Sequence, residues 1–76
     1  MPRIPRGEID VQIGKRIRER RQALGLSQRQ FGQALRISYQ QVQKYEAAQN
    51  KIAASLLNEV AYQLQVPIQW FFRDLE

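Results

Sequence analysis

The sequence predicts an all-α domain of five helices, and three observations carry that expectation. Apolar residues in the early and late parts of the chain recur every three or four positions, the period of a helix with one buried face. No segment alternates apolar and polar residues as a half-buried strand does. Between those parts a helix-start signal is written twice, eleven residues apart: Ser27 is followed by Gln30, and Ser38 by Gln41. In such a capping box the serine oxygen accepts from a backbone N–H of the first turn while the glutamine reaches back to the cap. Leu26 with Phe31, and Ile37 with Val42, fill the flanking positions of a hydrophobic staple.

The elements follow in order. Residues 1–8 carry Pro2, Pro5 and Gly7 with Arg3 and Arg6 between them, and read as a flexible basic arm ahead of a single folded domain at 9–76. Asp10 is the expected N-cap of a first helix reaching about Leu24, with Ile13, Ile17 and Leu24 as its buried stripe. Gly25 ends it. Arg21 lies four after Ile17 and three before Leu24, on the core side, so its charge needs either a partner or a route to solvent. Glu46 is the natural partner, being the only acid between Glu19 and Glu59.

The second helix spans about Gln28 to Leu35, with Phe31, Ala34 and Leu35 inward, and the third about Tyr39 to Ala47, with Val42 and Tyr45 inward. So short a connection forces a sharp turn, the layout of a helix-turn-helix. Gly32 sits inside the second helix, where it costs up to about 1 kcal/mol relative to alanine. Close approach of the next helix would justify it. A fourth helix begins near Ala54 or Ser55 and buries Leu56, Leu57, Val60, Ala61 and Leu64. Val66-Pro67 marks a break, with the proline suited to opening a short fifth helix that carries Ile68, Trp70, Phe71 and Phe72. Trp70 and Phe71 are expected to close the core, and Phe72 with Ile68 and Leu75 is a candidate dimer patch.

Composition narrows the chemistry. Seventy-six residues make one small domain with a modest core. The absence of cysteine and histidine excludes a disulfide framework and the usual zinc sites, and no apolar run is long enough to span a bilayer. The formal charge is +5, and its placement is uneven. Residues 12–51 hold nine Lys/Arg against Glu19 and Glu46, a balance of +7, whereas the stretch from Ser55 onward balances at −2. A polyanion-binding surface therefore belongs to the first two-thirds of the chain. Catalysis has little to work with: there is no phosphate-cradling Gly-rich loop, and the close carboxylate pair Asp74 and Glu76 lies at the chain's end. No enzyme activity, cofactor or small-molecule site is expected.

The outward positions of the third helix carry Tyr39, Gln40, Gln41, Gln43 and Lys44. Glutamine pairs with adenine through both amide groups, lysine donates to guanine acceptors, and the N-terminal residues of a recognition helix are those that reach bases. Tyr39 suits a thymine methyl or a phosphate. Phosphate contacts have separate candidates in Ser27, Gln28 and Arg29, at the positive end of the second helix, and in Asn50 and Lys51 after the third. Arg3 and Arg6 suit a groove.

The combination of Leu24-Gly-Leu-Ser-Gln28, Phe31-Gly32, Ile37-Ser38, Val42 and Tyr45-Glu46 resembles the repressor–Cro type of helix-turn-helix, also called the xenobiotic-response-element type. Leu64-Gln-Val-Pro-Ile-Gln-Trp-Phe-Phe72 is similar to that family's closing segment, so the resemblance runs from about Val11 to Phe72. The stretch from Ile37 to Glu46 looks especially like regulators of alphaproteobacteria. The resemblance implies a lambda-repressor-like five-helix domain that binds a double-stranded operator as a homodimer in the bacterial cytoplasm, at the nucleoid, most often as a repressor. It implies base contacts from Tyr39, Gln40, Gln41 and Lys44, phosphate contacts from Gln28 and the loop near Lys51, and a pair between Arg21 and Glu46. Three positions depart from the pattern: Arg36, Ala48 and Gln65 stand where glycine is usual. An antitoxin that represses its own operon, and a protein-binding adaptor on the same fold, remain as alternative readings.

Overall fold

A computed structural model describes residues 6–73, and these form four α-helices and one 3₁₀ helix: α1 (Arg6–Ala23), α2 (Gln28–Leu35), α3 (Tyr39–Glu46), α4 (Ala54–Leu64) and the 3₁₀ segment Ile68–Phe72. The described residues contain no strand, and no helix among them is long and apolar enough to cross a membrane. The fifth element expected from the sequence is thus a five-residue 3₁₀ helix that follows Pro67.

α1 begins four residues before the expected cap at Asp10, so residues 6–8, assigned to the arm, are helical; residues 1–5 lie outside the described ones. Nothing from Arg6 onward forbids helical dihedrals, and Glu8 in the first turn complements the positive end of the helix. The extra turn also brings Ile9 against the core, one i,i+4 step before Ile13 and Ile17.

The core is a single cluster of Ile13, Ile17, Phe31, Leu35, Val42, Leu57, Val60, Ala61, Leu64 and Phe71. Each helix supplies its apolar stripe, while Leu24, Leu56 and Trp70 are half-buried around the edge. Ala34, expected inward, is exposed. The inner face of α2 is taken by Phe31, Gly32 and Leu35, which turns Ala34 to the other side. Phe71 is fully buried, and Trp70 meets it edge to face with centroids 5.2 Å apart.

All four α-helices stop the same way. At each end the chain passes through the left-handed region, at Gly25 (φ 72°), Arg36 (φ 60°), Ala48 (φ 57°) and Gln65 (φ 60°). The following N–H reaches back five residues: Leu26 to Arg21 O, Ile37 to Gly32 O, Gln49 to Lys44 O and Val66 to Ala61 O, at 2.8–3.1 Å. These are Schellman ends, which satisfy otherwise orphaned carbonyls. Leu26, Ile37 and Val66 are the apolar residues just past three of the turns, and each packs on the core. Only one of the four left-handed positions holds glycine. At the other three the side chain makes the conformation less favourable by about 1–2 kcal/mol.

Two glycines mark where backbones nearly touch. A methyl group on Gly32 would lie 2.8 Å from Ile37 O, in the turn between α2 and α3. One on Gly14 would lie 2.6 Å and 2.7 Å from Glu46 O and Tyr45 O, at the end of α3. α3 is therefore held by close backbone approach on both sides, which fixes the pose of its outer face.

Candidate nucleic-acid interface

The start of α2 is set by a complete capping box. Ser27 Oγ accepts from Gln30 N–H at 3.0 Å, and Gln30 Oε1 accepts from Ser27 N–H at 2.8 Å. At α3 only half of the expected box forms: Ser38 Oγ accepts from Gln41 N–H at 3.2 Å, and the return bond from the glutamine is missing. The Gln41 side chain is half-buried but not spent on the cap.

Behind α3 lies the ion pair joining its end to α1. Arg21 Nε donates to Glu46 Oε2 at 2.6 Å, Arg21 Nη2 to Glu46 Oε1 at 3.1 Å, and Arg21 Nη1 to Leu26 O at 2.8 Å. Gln28 Nε2 also donates to Glu46 Oε1, at 3.2 Å. One carboxylate thus ties the ends of three helices together. Such a pair survives burial because every charged group in it is hydrogen-bonded.

With its inner side held, α3 presents Gln40, Gln43 and Lys44 on one exposed face at i, i+3 and i+4 spacing. Tyr39 is half-buried at the helix start, and the Arg29 guanidinium carbon lies 4.3 Å from its ring centroid. Ser27 and Arg29 are exposed at the start of α2, and Asn50 and Lys51 are exposed in the loop after α3. An open groove of about 590 Å³ runs between the helices, lined by Arg18, Arg21, Ser27, Gln28, Gln43, Glu46 and Ala47.

The basic residues of α1 divide by task. Arg20 Nε donates to Leu64 O at 2.9 Å, and Arg16 donates to Trp70 O and lies over the Trp70 ring. With Arg21 they hold the fold together, so the positive surface of the first two-thirds is smaller than residue counts suggest. The exposed cations there are Lys15, Arg18, Arg29, Arg36, Lys44 and Lys51. Arg18, at the groove's edge, has no sequence motif to announce it. Gly14 did have a signal: it is a glycine inside a helix, like Gly32.

Of the candidate dimer patch, Phe72 is 42% exposed, Ile68 is half-buried against the core, and Leu75 lies outside the described residues. Arg3 lies outside them too. Among the described residues no three His, Cys, Asp or Glu side chains gather as a metal site.

A family model described as Helix-turn-helix matches residues 17–71 of the chain. The chain is 47% identical over 68 residues to an uncharacterised transcriptional regulator in the ATPase CF(0) region of Rhodospirillum rubrum, covering 90% of this chain and 63% of that protein. It is also 47% identical over 66 residues to an uncharacterised HTH-type transcriptional regulator of Sinorhizobium medicae, covering 87% and 48% of the two chains. It thus spans about half to two-thirds of the length of these relatives. Among solved structures, the restriction-modification controller protein C.AhdI from Aeromonas hydrophila superposes with a TM-score of 0.80 at 26% identity, over 87% of this chain and 96% of that one. The clp gene regulator ClgR from Corynebacterium glutamicum shares the fold, with a TM-score of 0.82 at 20% identity over 92% and 72% of the chains.

Proposed function

The chain belongs to the helix-turn-helix family, and from that premise we propose that it is a transcriptional regulator that binds a specific double-stranded DNA site with α3 in the major groove. The observation that carries this is the exposed Gln40, Gln43 and Lys44 face, on a helix fixed from behind by Arg21–Glu46 and by the approach of Gly14 and Gly32. Amide and ammonium groups on a fixed helix suit the donor and acceptor pattern of base edges. Tyr39 and Gln41, at the start of the helix, join them. Ser27 and Gln28 at the head of α2, and Asn50 and Lys51 past the end of α3, bracket that face and hold the phosphates that set its register.

The full reading is a homodimeric repressor that occupies a palindromic operator at the bacterial nucleoid. Phe72, exposed on the 3₁₀ helix, and the half-buried Ile68 provide the apolar contact about the two-fold axis. Two copies of α3 then enter successive major grooves roughly 34–36 Å apart. No cofactor enters this mechanism; the chemistry is recognition, and transcription is blocked by occupancy.

Selection from random duplexes, followed by titration across salt, tests the reading. A preferred site with two related half-sites and a steep fall of log affinity with log salt is the expected result. Gln40→Ala and Lys44→Ala are expected to relax preference at defined base pairs while the fold stays intact, because both side chains are exposed. Failure to bind any duplex at low salt would instead favour a protein-binding adaptor.

A further inference from the structure

Resting on the DNA-binding reading, we infer that Arg29 is a base reader that contacts a guanine from α2, with the Tyr39 ring as its platform. The sequence alone makes Arg29 a candidate phosphate contact, because it lies in the first turn of α2. In the structure its guanidinium carbon lies 4.3 Å from the centroid of the Tyr39 ring, at the first residue of α3. That end of α3 is where a recognition helix makes its base contacts. Among the described residues Arg29 makes no hydrogen bond or ion pair, so all five of its N–H donors remain available beside the ring.

Its seat over the Tyr39 ring limits where the guanidinium fork can lie, without a hydrogen bond that would spend its donors. A planar fork held at the mouth of the major groove matches the O6 and N7 acceptors of guanine, the commonest specific contact that arginine makes. Stacking also alters Tyr39, because the ring face under Arg29 is covered and unavailable to a thymine methyl. The two residues then read DNA as one unit, although they belong to different helices and lie ten positions apart.

The test is duplex selection and titration with the wild type, Arg29→Ala, Arg29→Lys, Tyr39→Ala and the Arg29→Ala/Tyr39→Ala double variant, with folding checked by circular dichroism. The wild-type half-site should contain one guanine whose replacement weakens binding on the order of tenfold, as loss of a two-point arginine contact does. Arg29→Ala and Arg29→Lys should both lose discrimination at that base pair, since lysine keeps the charge but not the fork. Tyr39→Ala should lose it at the same base pair, and the double variant should lose no more there than either single one. If Arg29→Ala weakens all duplexes equally and lowers the salt slope by about one contact, while Arg29→Lys behaves as wild type, Arg29 is a phosphate contact and the inference is overturned. A wild type without any duplex preference overturns the DNA-reading function itself, and the Arg29 assignment with it.

Discussion

Arg21 on α1 and Glu46 at the end of α3 form a two-point ion pair whose side chains are only 9% and 5% exposed. The pair closes a network that includes Leu26 O and Gln28, so removing one partner leaves a buried charge with nothing to offset its desolvation. Glu46→Ala or Arg21→Ala should each destabilise the domain by about 3 kcal/mol or more. Arg21→Ala combined with Glu46→Ala should lose much less than the two single losses together, because neither charge is then stranded. Urea unfolding of the four proteins measures this, and strict additivity would count against a shared network.

Three helix ends place a side chain where glycine is favoured. Arg36, Ala48 and Gln65 all have φ near 60° and all sit in Schellman ends. Glycine removes the left-handed penalty of about 1–2 kcal/mol but gives up part of that gain to the greater freedom of the unfolded chain. Each substitution to glycine should therefore stabilise the domain by about 1 kcal/mol, which raises Tm by about 4–8 °C in a chain of this size. The three sites lie in separate turns, so their effects should nearly add. A fall in Tm for Arg36→Gly would show that its side chain stabilises the turn in a way its backbone conformation does not reveal.

Gly14 and Gly32 test the opposite sign. Helix propensity alone predicts that replacing either with alanine stabilises by up to about 1 kcal/mol. The structure predicts destabilisation, because the new methyl group would lie 2.6 Å from Glu46 O at one site and 2.8 Å from Ile37 O at the other. Backbone atoms stand in the way and cannot turn aside as a flexible side chain can. A loss of about 1–3 kcal/mol is expected at each, read as a lower urea midpoint with an unchanged slope. Gly14→Ala should also weaken DNA binding in the folded fraction, since it shifts the end of α3.

What could be read in the sequence was local or formed a unique pairing. The cap at Ser27 is a signal four residues long, and Glu46 was the only acid available to Arg21. Gly32 betrayed close packing by standing where alanine would serve a free helix better. The start of α1 was misplaced because its first turn depends on Ile9 reaching a core built by other helices. Spacing alone points Ala34 inward, because it does not show which side of α2 the next helix covers. The tasks of Arg16 and Arg20 were hidden for a stronger reason: their acceptors, Trp70 O and Leu64 O, lie 54 and 44 residues away and are backbone atoms, which residue identity does not mark. The Arg29–Tyr39 stack likewise needs the turn between α2 and α3 to be in place.

Arg18 and Arg20 sit two positions apart on α1, carry the same charge, and should give opposite results when changed to alanine. Arg20 is half-buried, and its Nε donates to Leu64 O, a carbonyl at the end of α4. Arg20→Ala should lower stability by about 1–2 kcal/mol, as loss of a charged hydrogen bond does, and leave the salt dependence of DNA binding in place. Arg18 is exposed at the edge of the groove that runs past Ser27, Gln28 and Gln43. If the head of α2 holds a DNA strand as proposed, that strand would run along this edge, so Arg18→Ala should leave Tm unchanged and lower the slope of log affinity against log salt by about one unit. Because a phosphate carries no sequence information, affinity should fall equally for preferred and random duplexes. Parallel thermal melts and salt titrations of the two variants decide the matter, and an unchanged slope for Arg18→Ala would remove the groove from the DNA path.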